Sequence, residues 1–330
     1  MAHEIMIKNG VAQYASTRKE WHFADTGHQV LRPGAPIEEW AEASGMNYKV
    51  KRATIRYATE RLDLAHDPIN ALRTIEDKVV LFRSDTGAPL GVVSEGYKVV
   101  QPDEVLDSFR EFAERNAVVI ESAGVLFGGK RYFATAKIAD AVSLAATGGD
   151  TIVPYILLST SADGSLATEG RITHVRTVCS NTLSQARKGT AAFRLTHRSK
   201  FDSADFKAVM EGAREDFGAF METARKLASI KVESRLAEDM TTLLLTTPTR
   251  DADAARDSAG FTKIMSLFQG GGKGSTLETA RETSWGWLNA VTEYVDHHVR
   301  ARSAENRTAS ATWGPGADLK QRAVEIALAA

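Results

Sequence analysis

Between Arg171 and Lys200 the chain carries Arg171, Arg176, Arg187, Lys188, Arg194, Arg198 and Lys200, together with His174 and His197, and not one carboxylate. Gathered in space, such groups make a positive field whose physical use is polyanion binding. Lys130, Arg131 and Lys137 add charge to a neighbouring segment. Phe127, Tyr132, Phe133, Tyr155 and Phe193 are rings of the kind on which single-stranded bases stack, although core packing is the commoner use of such side chains. A second basic stretch, Lys49, Lys51, Arg52, Arg56 and Arg61, contains a single acid, Glu60. For either stretch the alternative use is a solvated face.

Other constellations do less. Phe268-Gln-Gly-Gly-Gly-Lys-Gly-Ser-Thr has the look of a phosphate loop, but Leu267 stands where a glycine is required, Gly274 follows Lys273, and no strand precedes the run. It reads instead as an interhelical linker in which Ser275 or Thr276 caps the next helix. Cys179 with His174 or His197 has the types of a nucleophile and its base, yet nothing local supplies an oxyanion hole. His297 and His298 are adjacent, so a helix points them about 100° apart and they cannot share one metal. Asp150, Asp163 and Glu169 leave carboxylate-bound Mg²⁺ open, with Asp163 accounted for by a turn. No catalytic residue, cofactor or metal site is assigned.

The elements that must hold the basic block follow from turn signals and periodicity. A helical segment near Ile37–Ala43 follows the break at 32–36, and a strand is expected over Tyr48–Tyr57. Lys78–Arg83 and Leu90–Val100 form β-runs around a Gly87 turn; Pro102 opens a helix to about Arg115. Val118–Phe127 and Arg131–Ile138 meet at Gly128-Gly129, and Thr151–Ser161 and Ser165–Val178 flank Asp163-Gly164. Pro154 predicts an edge or bulged position. Alternation along the last strand puts Arg171, Thr173 and Thr177 on one face and His174 and Arg176 on the other. A short helix capped by Ser180 or Asn181 is expected to end at Arg187-Lys188-Gly189.

Beyond it, Phe206, Met210, Ala213, Phe217, Phe220, Ala224 and Leu227 mark a long amphipathic helix whose stripe reads as core or subunit contact. Helices around 232–246, 261–268, 276–302 and 317–328 follow, with linkers at 248–260 and 305–316. The whole is an α+β fold: an antiparallel β-meander sheet with helices packed on one face, then a mainly helical C-terminal region. Residues 1–77 form an irregular N-terminal region, 78–200 the nucleic-acid-binding core, and 201–330 the helical region.

Composition narrows the class. The 330 residues hold 41 Lys plus Arg against 42 Asp plus Glu, a net charge of −1, so the basic block is a matter of distribution and not of total. One cysteine excludes a disulfide framework. No apolar run approaches a membrane span and no secretory signal is evident, which leads to the expectation of a soluble, cytosolic protein.

Several segments, among them Gly96-Tyr-Lys-Val-Val-Gln-Pro-Asp-Glu, Glu121-Ser-Ala-Gly-Val-Leu-Phe-Gly-Gly-Lys-Arg, Val175-Arg-Thr-Val-Cys-Ser-Asn-Thr-Leu and Trp287-Leu-Asn-Ala-Val-Thr-Glu-Tyr-Val-Asp-His, resemble an uncharacterised family of phage- and plasmid-encoded proteins, a domain of unknown function. The order helix, antiparallel strands with a Gly hairpin and an Asp-Gly turn, then helix, is similar at the level of pattern to the single-strand annealing recombinases of the Redβ, RecT and Erf superfamily. That resemblance implies single-stranded DNA as partner, strand annealing without nucleotide hydrolysis, and a homo-oligomeric ring or filament that presents the strand. Lys130, Arg131, Arg171, His174, Arg176, Arg187, Lys188, Arg194, His197, Arg198 and Lys200 are the expected nucleic-acid contacts. The alternatives are a module that binds a host or phage protein, and a Mg²⁺-dependent nucleic-acid enzyme.

Overall fold

Strand runs separated by Gly and Asp-Gly turns fill the first half of the chain and 3.6-period stripes the second, and the fold is α+β as that pattern requires. The computed structural model describes residues 7–8, 11–17, 28–58, 72–116, 118–146, 149–176, 181–183, 193–195 and 203–330. The strands are β1 (Ile7–Lys8), β2 (Val11–Ala12), β3 (Tyr14–Ser16), β4 (Gln29–Val30), β5 (Val50–Ala58), β6 (Leu72–Arg83), β7 (Pro89–Ser94), β8 (Val119–Leu126), β9 (Arg131–Lys137), β10 (Val142–Ser143), β11 (Thr151–Ser161), β12 (Thr168–Arg176), β13 (Asn181–Leu183) and β14 (Phe193–Leu195). The helices are α1 (Ile37–Ala43), α2 (Pro102–Asn116), α3 (Ser203–Ser229), α4 (Ser234–Leu245), α5 (Ala252–Arg256), α6 (Ala259–Ser266), α7 (Ser284–Glu293), α8 (Ala304–Trp313) and α9 (Pro315–Ala329).

The main sheet runs β13-β12-β11-β9-β8-β3-β4, with β14 also on β12 and β10 also on β11; its ladders are antiparallel except for β3–β4. Ile156 and Leu158 of β11, with Tyr132, Ala134 and Ala136 of β9, face a core shared with Trp40 of α1 and Val105, Leu106 and Phe109 of α2. The opposite sheet face carries Phe133 and Leu157, and α8 reaches it through Trp313, whose indole N–H donates to Ser159 Oγ at 3.2 Å. Pro154 lies in a central strand, between the rungs that β11 makes with β9 and those it makes with β10, where its missing N–H interrupts neither ladder of that edge.

The helical half has its own core, in which Trp285 and Trp287 are fully buried. Buried Asp150, just before β11, accepts from Thr279 Oγ1 at 2.5 Å and from Trp285 Nε1 at 3.1 Å, and so ties this core to the sheet. Ala213, Phe217, Phe220, Ala224 and Leu227 of the α3 stripe are all buried.

Three expectations give way. Asn181–Leu183 is not helical but pairs as β13 with His174–Arg176, because the free edge of β12 satisfies those backbone groups better than a short helix would. After the glycine-rich segment the helix starts at Ser284, capped by Thr283 Oγ1 accepting from Gly286 N at 3.1 Å, and not at Ser275 or Thr276. The linkers expected at 248–260 and 305–316 hold α5 and α8, each with a side-chain cap, Asp251 on Ala254 N and Ser303 on Asn306 N.

A smaller sheet, β5-β6-β7, is tied to the main one by a buried cation. The Arg83 side chain is 2% exposed and forms a two-pronged ion pair with Asp85, both bonds 2.9 Å. Its Nη1 donates to Gly128 O at 3.2 Å, and its guanidinium carbon sits 3.9 Å from the centroid of the Tyr48 ring. Tyr48 donates to Gly129 O at 2.8 Å, and burial pushes its phenol well above the usual range, so it stays a donor.

The turn they grip is left-handed at three successive residues, Phe127, Gly128 and Gly129, with φ of 54°, 71° and 96°. A Cβ at Gly129 would lie 2.7 Å from Tyr48 Oη and 2.8 Å from Arg83 Nη1, whereas one at Gly128 meets nothing within 4 Å. Gly128→Ala is therefore expected to cost about 1–2 kcal/mol, the backbone penalty alone, and Gly129→Ala about 3 kcal/mol or more, since it also displaces the buried pair. Urea unfolding of the two variants checks the order; equal costs would contradict it.

Candidate nucleic-acid interface

The β8–β9 turn presents Lys130 to solvent and holds Arg131 against two rings. The Arg131 guanidinium carbon is 5.3 Å from the Phe127 centroid and 6.0 Å from that of Trp313, and its Nε donates to Ser165 Oγ at 3.1 Å. Both rings are half-buried, so each keeps some surface toward solvent beside the cation. Phe127 N–H donates to Glu305 Oε1 at 2.9 Å, which fixes the turn to the first turn of α8.

Lys137 and Arg171 lie on the same sheet face as Arg131, by the register Arg131–Ser161, Thr135–Leu157–Arg171 and Lys137–Tyr155. Both are compensated. Arg171 Nε is 2.9 Å from Glu169 Oε1, and the Glu169 side chain is only 5% exposed. Lys137 Nζ is 3.1 Å from Asp140.

His174 does not belong to the interface. As alternation predicts, it takes the other face from Arg171, but that face is covered by α3. The ring is 2% exposed and stacks on Phe220 at 4.0 Å and Phe217 at 5.5 Å between centroids. Tyr132, Phe133 and Tyr155 are buried as well, so none of the three offers a ring to a base.

Arg176 and Arg194 are placed by backbone, Arg176 at the end of β12 and Arg194 opposite Glu169 in the β12–β14 ladder. Arg187, Lys188, His197, Arg198 and Lys200 lie outside the described residues, as does Cys179. Of the expected contacts, Lys130, Arg131 and Arg171 are thus described, Arg194 is placed by backbone opposite Glu169, and Arg176 takes a position that alternation gives to the His174 face.

Sequence reading passes over two groups. Trp313 joins the patch from 182 positions beyond Arg131, and no local signal links them. The β5–β6–β7 sheet exposes Lys51, Arg56, Tyr57, Arg73 and Lys78; here a signal is present, in the second basic stretch.

Among the described residues the alternative chemistries find no assembled site. Asp150 is held by Thr279 and Trp285, Glu169 by Arg171, and Asp163 Oδ1 accepts from Ser165 N at 2.9 Å in its turn. Among the described residues no group of three or more His, Cys, Asp or Glu is placed to hold a metal ion. In the glycine-rich segment the Glu293 carboxylate accepts from Lys273 N at 2.8 Å, so the chain's own anion sits at that backbone. No helix among the described residues is long and apolar enough to cross a membrane.

Residues 89–313 match the family described as a domain of unknown function, DUF932. No curated protein and no solved structure matches the chain.

Burial pushes the Glu305 carboxyl above its usual range, against the opposing pull of the Phe127 N–H. A carboxyl raised on folding binds its proton more tightly in the folded state. Its contribution is then full below the unfolded pKa and is lost as pH rises through the folded one. Glu305→Gln keeps an acceptor for Phe127 and removes the charge. The variant should gain in Tm over the parent at neutral pH and lose that advantage in acid; a difference independent of pH would contradict the assignment.

Proposed function

We propose that the chain, which belongs to the DUF932 family, binds single-stranded DNA and promotes the pairing of complementary strands without nucleotide hydrolysis. The observation that carries this reading is the tip of the β8–β9 hairpin, where exposed Lys130 and ring-stacked Arg131 stand beside the half-buried Phe127 and Trp313. Cations supply sequence-independent attraction to phosphate, and rings beside them accept any base by its face. The same hairpin adjoins β11 and, through it, β12, the strand that opens the acid-free segment.

Annealing requires an extended strand longer than one subunit spans, so the active form under this reading is a homo-oligomer. The reading of the chain as a module for a protein partner gains no specific support from the tip, whose cations and rings suit a flexible polyanion better than a folded surface.

The affinity of the full-length protein for a labelled oligonucleotide is expected to fall steeply with salt, with a slope of about −0.7 per phosphate contact. Lys130→Ala with Arg131→Ala, and separately Arg187→Ala with Lys188→Ala, should weaken binding whatever the base sequence. Fluorescence anisotropy measures both, and mass photometry with and without the oligonucleotide reads the oligomer. Tight binding that is indifferent to salt between about 0.1 and 0.5 M, over which the screening length falls by about half, would overturn the proposal.

A further inference from the structure

Alternation along β5 places Lys51, Ala53, Ile55 and Tyr57 on one face. In the ladders, Lys51 is beside Phe82 and Pro89, Ala53 beside Val80 and Val92, and Tyr57 beside Arg73. The other face is the one that packs: Val50, Leu81 and Val93 are buried there. The outward face is thus the one a half-buried antiparallel sheet normally makes polar. Here it is apolar and aromatic at its middle and end, with Val92 60% and Tyr57 48% exposed, and cationic at its margins.

The charge on this surface is one-sided. Lys51, Arg73 and Lys78 are exposed and form no ion pair with any described residue; Arg56, exposed as well, alternates to the other face. Arg52 is used internally: it donates to the backbone carbonyls of Glu95 and Tyr97. The only carboxylates within β5 and β6 are Glu76 and Asp77, which occupy the stretch where the register slips between Thr54 and Ile55.

The outer half of the ribbon points to the same use. From Ile55–Ala58 and Leu72–Ile75, Arg56, Tyr57, Ala58, Arg73 and Thr74 are all exposed, so neither face of this two-stranded segment is buried in a core. A two-stranded ribbon gains little stability of its own. A ring, Tyr57, and β-branched side chains held out on it, with cations at hand, are the components of a single-strand stacking platform.

We propose that the outward face of the β5–β6–β7 sheet is a second binding surface for single-stranded DNA, with Tyr57 stacking on a base and Lys51, Arg73 and Lys78 contacting phosphates. From Lys51 to Tyr57 the platform is about 20 Å long, six residues of extended strand, the scale of a short single-strand site. It rests on the reading that this chain binds single-stranded DNA, and adds to it a site distinct from the β8–β9 tip. Two surfaces on one subunit are what pairing of two strands calls for.

The test uses the full-length protein and a labelled oligothymidylate in anisotropy titrations at several salt concentrations. Tyr57→Ala is expected to weaken binding by about 5- to 150-fold, the loss of one stacked base, while Tyr57→Phe keeps the ring and stays within about 3-fold. Lys51→Ala with Arg73→Ala and Lys78→Ala should also flatten the salt slope by about 0.7 for each phosphate no longer neutralised. Lys226→Ala, an exposed cation on α3, serves as the control and should change neither. Because all these side chains are exposed, circular dichroism should be unchanged. If the parent binds and the ribbon variants bind as tightly with the same slope, the platform is overturned while the proposed function stands. If the parent does not bind at low salt, both fall.

Discussion

The placement of Arg83 is the constraint on which the rest of the N-terminal half depends. A guanidinium cannot be buried without partners, because the desolvation cost exceeds what one contact returns. Three of its five donors are directed at a carboxylate two residues away and at the Gly128 carbonyl, and its flat face lies on Tyr48. Satisfying one side chain therefore fixes three pieces of chain relative to one another: the end of β6, the segment entering β5, and the left-handed turn between β8 and β9. That turn is the base from which Lys130 and Arg131 project. A lysine could not replace this arginine, having neither the planar fork nor the second donor edge.

The same chemistry explains why a stretch free of acids does not by itself make a trough. Arg171 is the first cation of that stretch, and the carboxylate that compensates it, Glu169, lies two residues before the stretch begins. Counting charges along sequence misses this because residues two apart on a strand share a face. Lys137 finds Asp140 in the same local way. His174 is lost to the interface for a different reason: alternation gives its face correctly, but whether that face is wet depends on α3, which is contributed from 43 residues beyond it at Phe217.

Much of the fold is legible in the sequence because its signals are local. Gly-Gly, Asp-Gly and the Pro102 start delimit β8, β9, β11 and α2 to within a few residues, and the stripe of α3 reads directly as a buried face. What is not legible depends on partners distant in sequence. Asn181 has the residue type of a helix cap, yet β12 offers it an edge to pair with; Asp150 has the type of a metal ligand, yet Thr279 and Trp285 reach it from the helical half. The second basic stretch is visible as charge, but that Lys51 faces outward while Arg52 and Arg56 do not follows only from the packing of Val50 and Leu81 on the opposite face.

The enclosed anchor and the exposed ribbon meet in β6. The strand runs from Leu72, paired with Ala58 on the ribbon, to Arg83, fully enclosed at its other end. Its two ends pair with Ala58 and Val50, eight residue steps apart on β5, so it spans about 27 Å, and force applied at the ribbon acts on a lever whose fulcrum is buried. Val50, Leu81, Leu90 and Val93 resist that force by packing, and Arg83 resists it by charge and direction. Apolar contacts tolerate small shifts, whereas a two-pronged ion pair capped by a carbonyl does not. Under the proposed binding of a strand at both surfaces, this anchor is what would keep the cations of the ribbon in register with the Lys130–Arg131 tip.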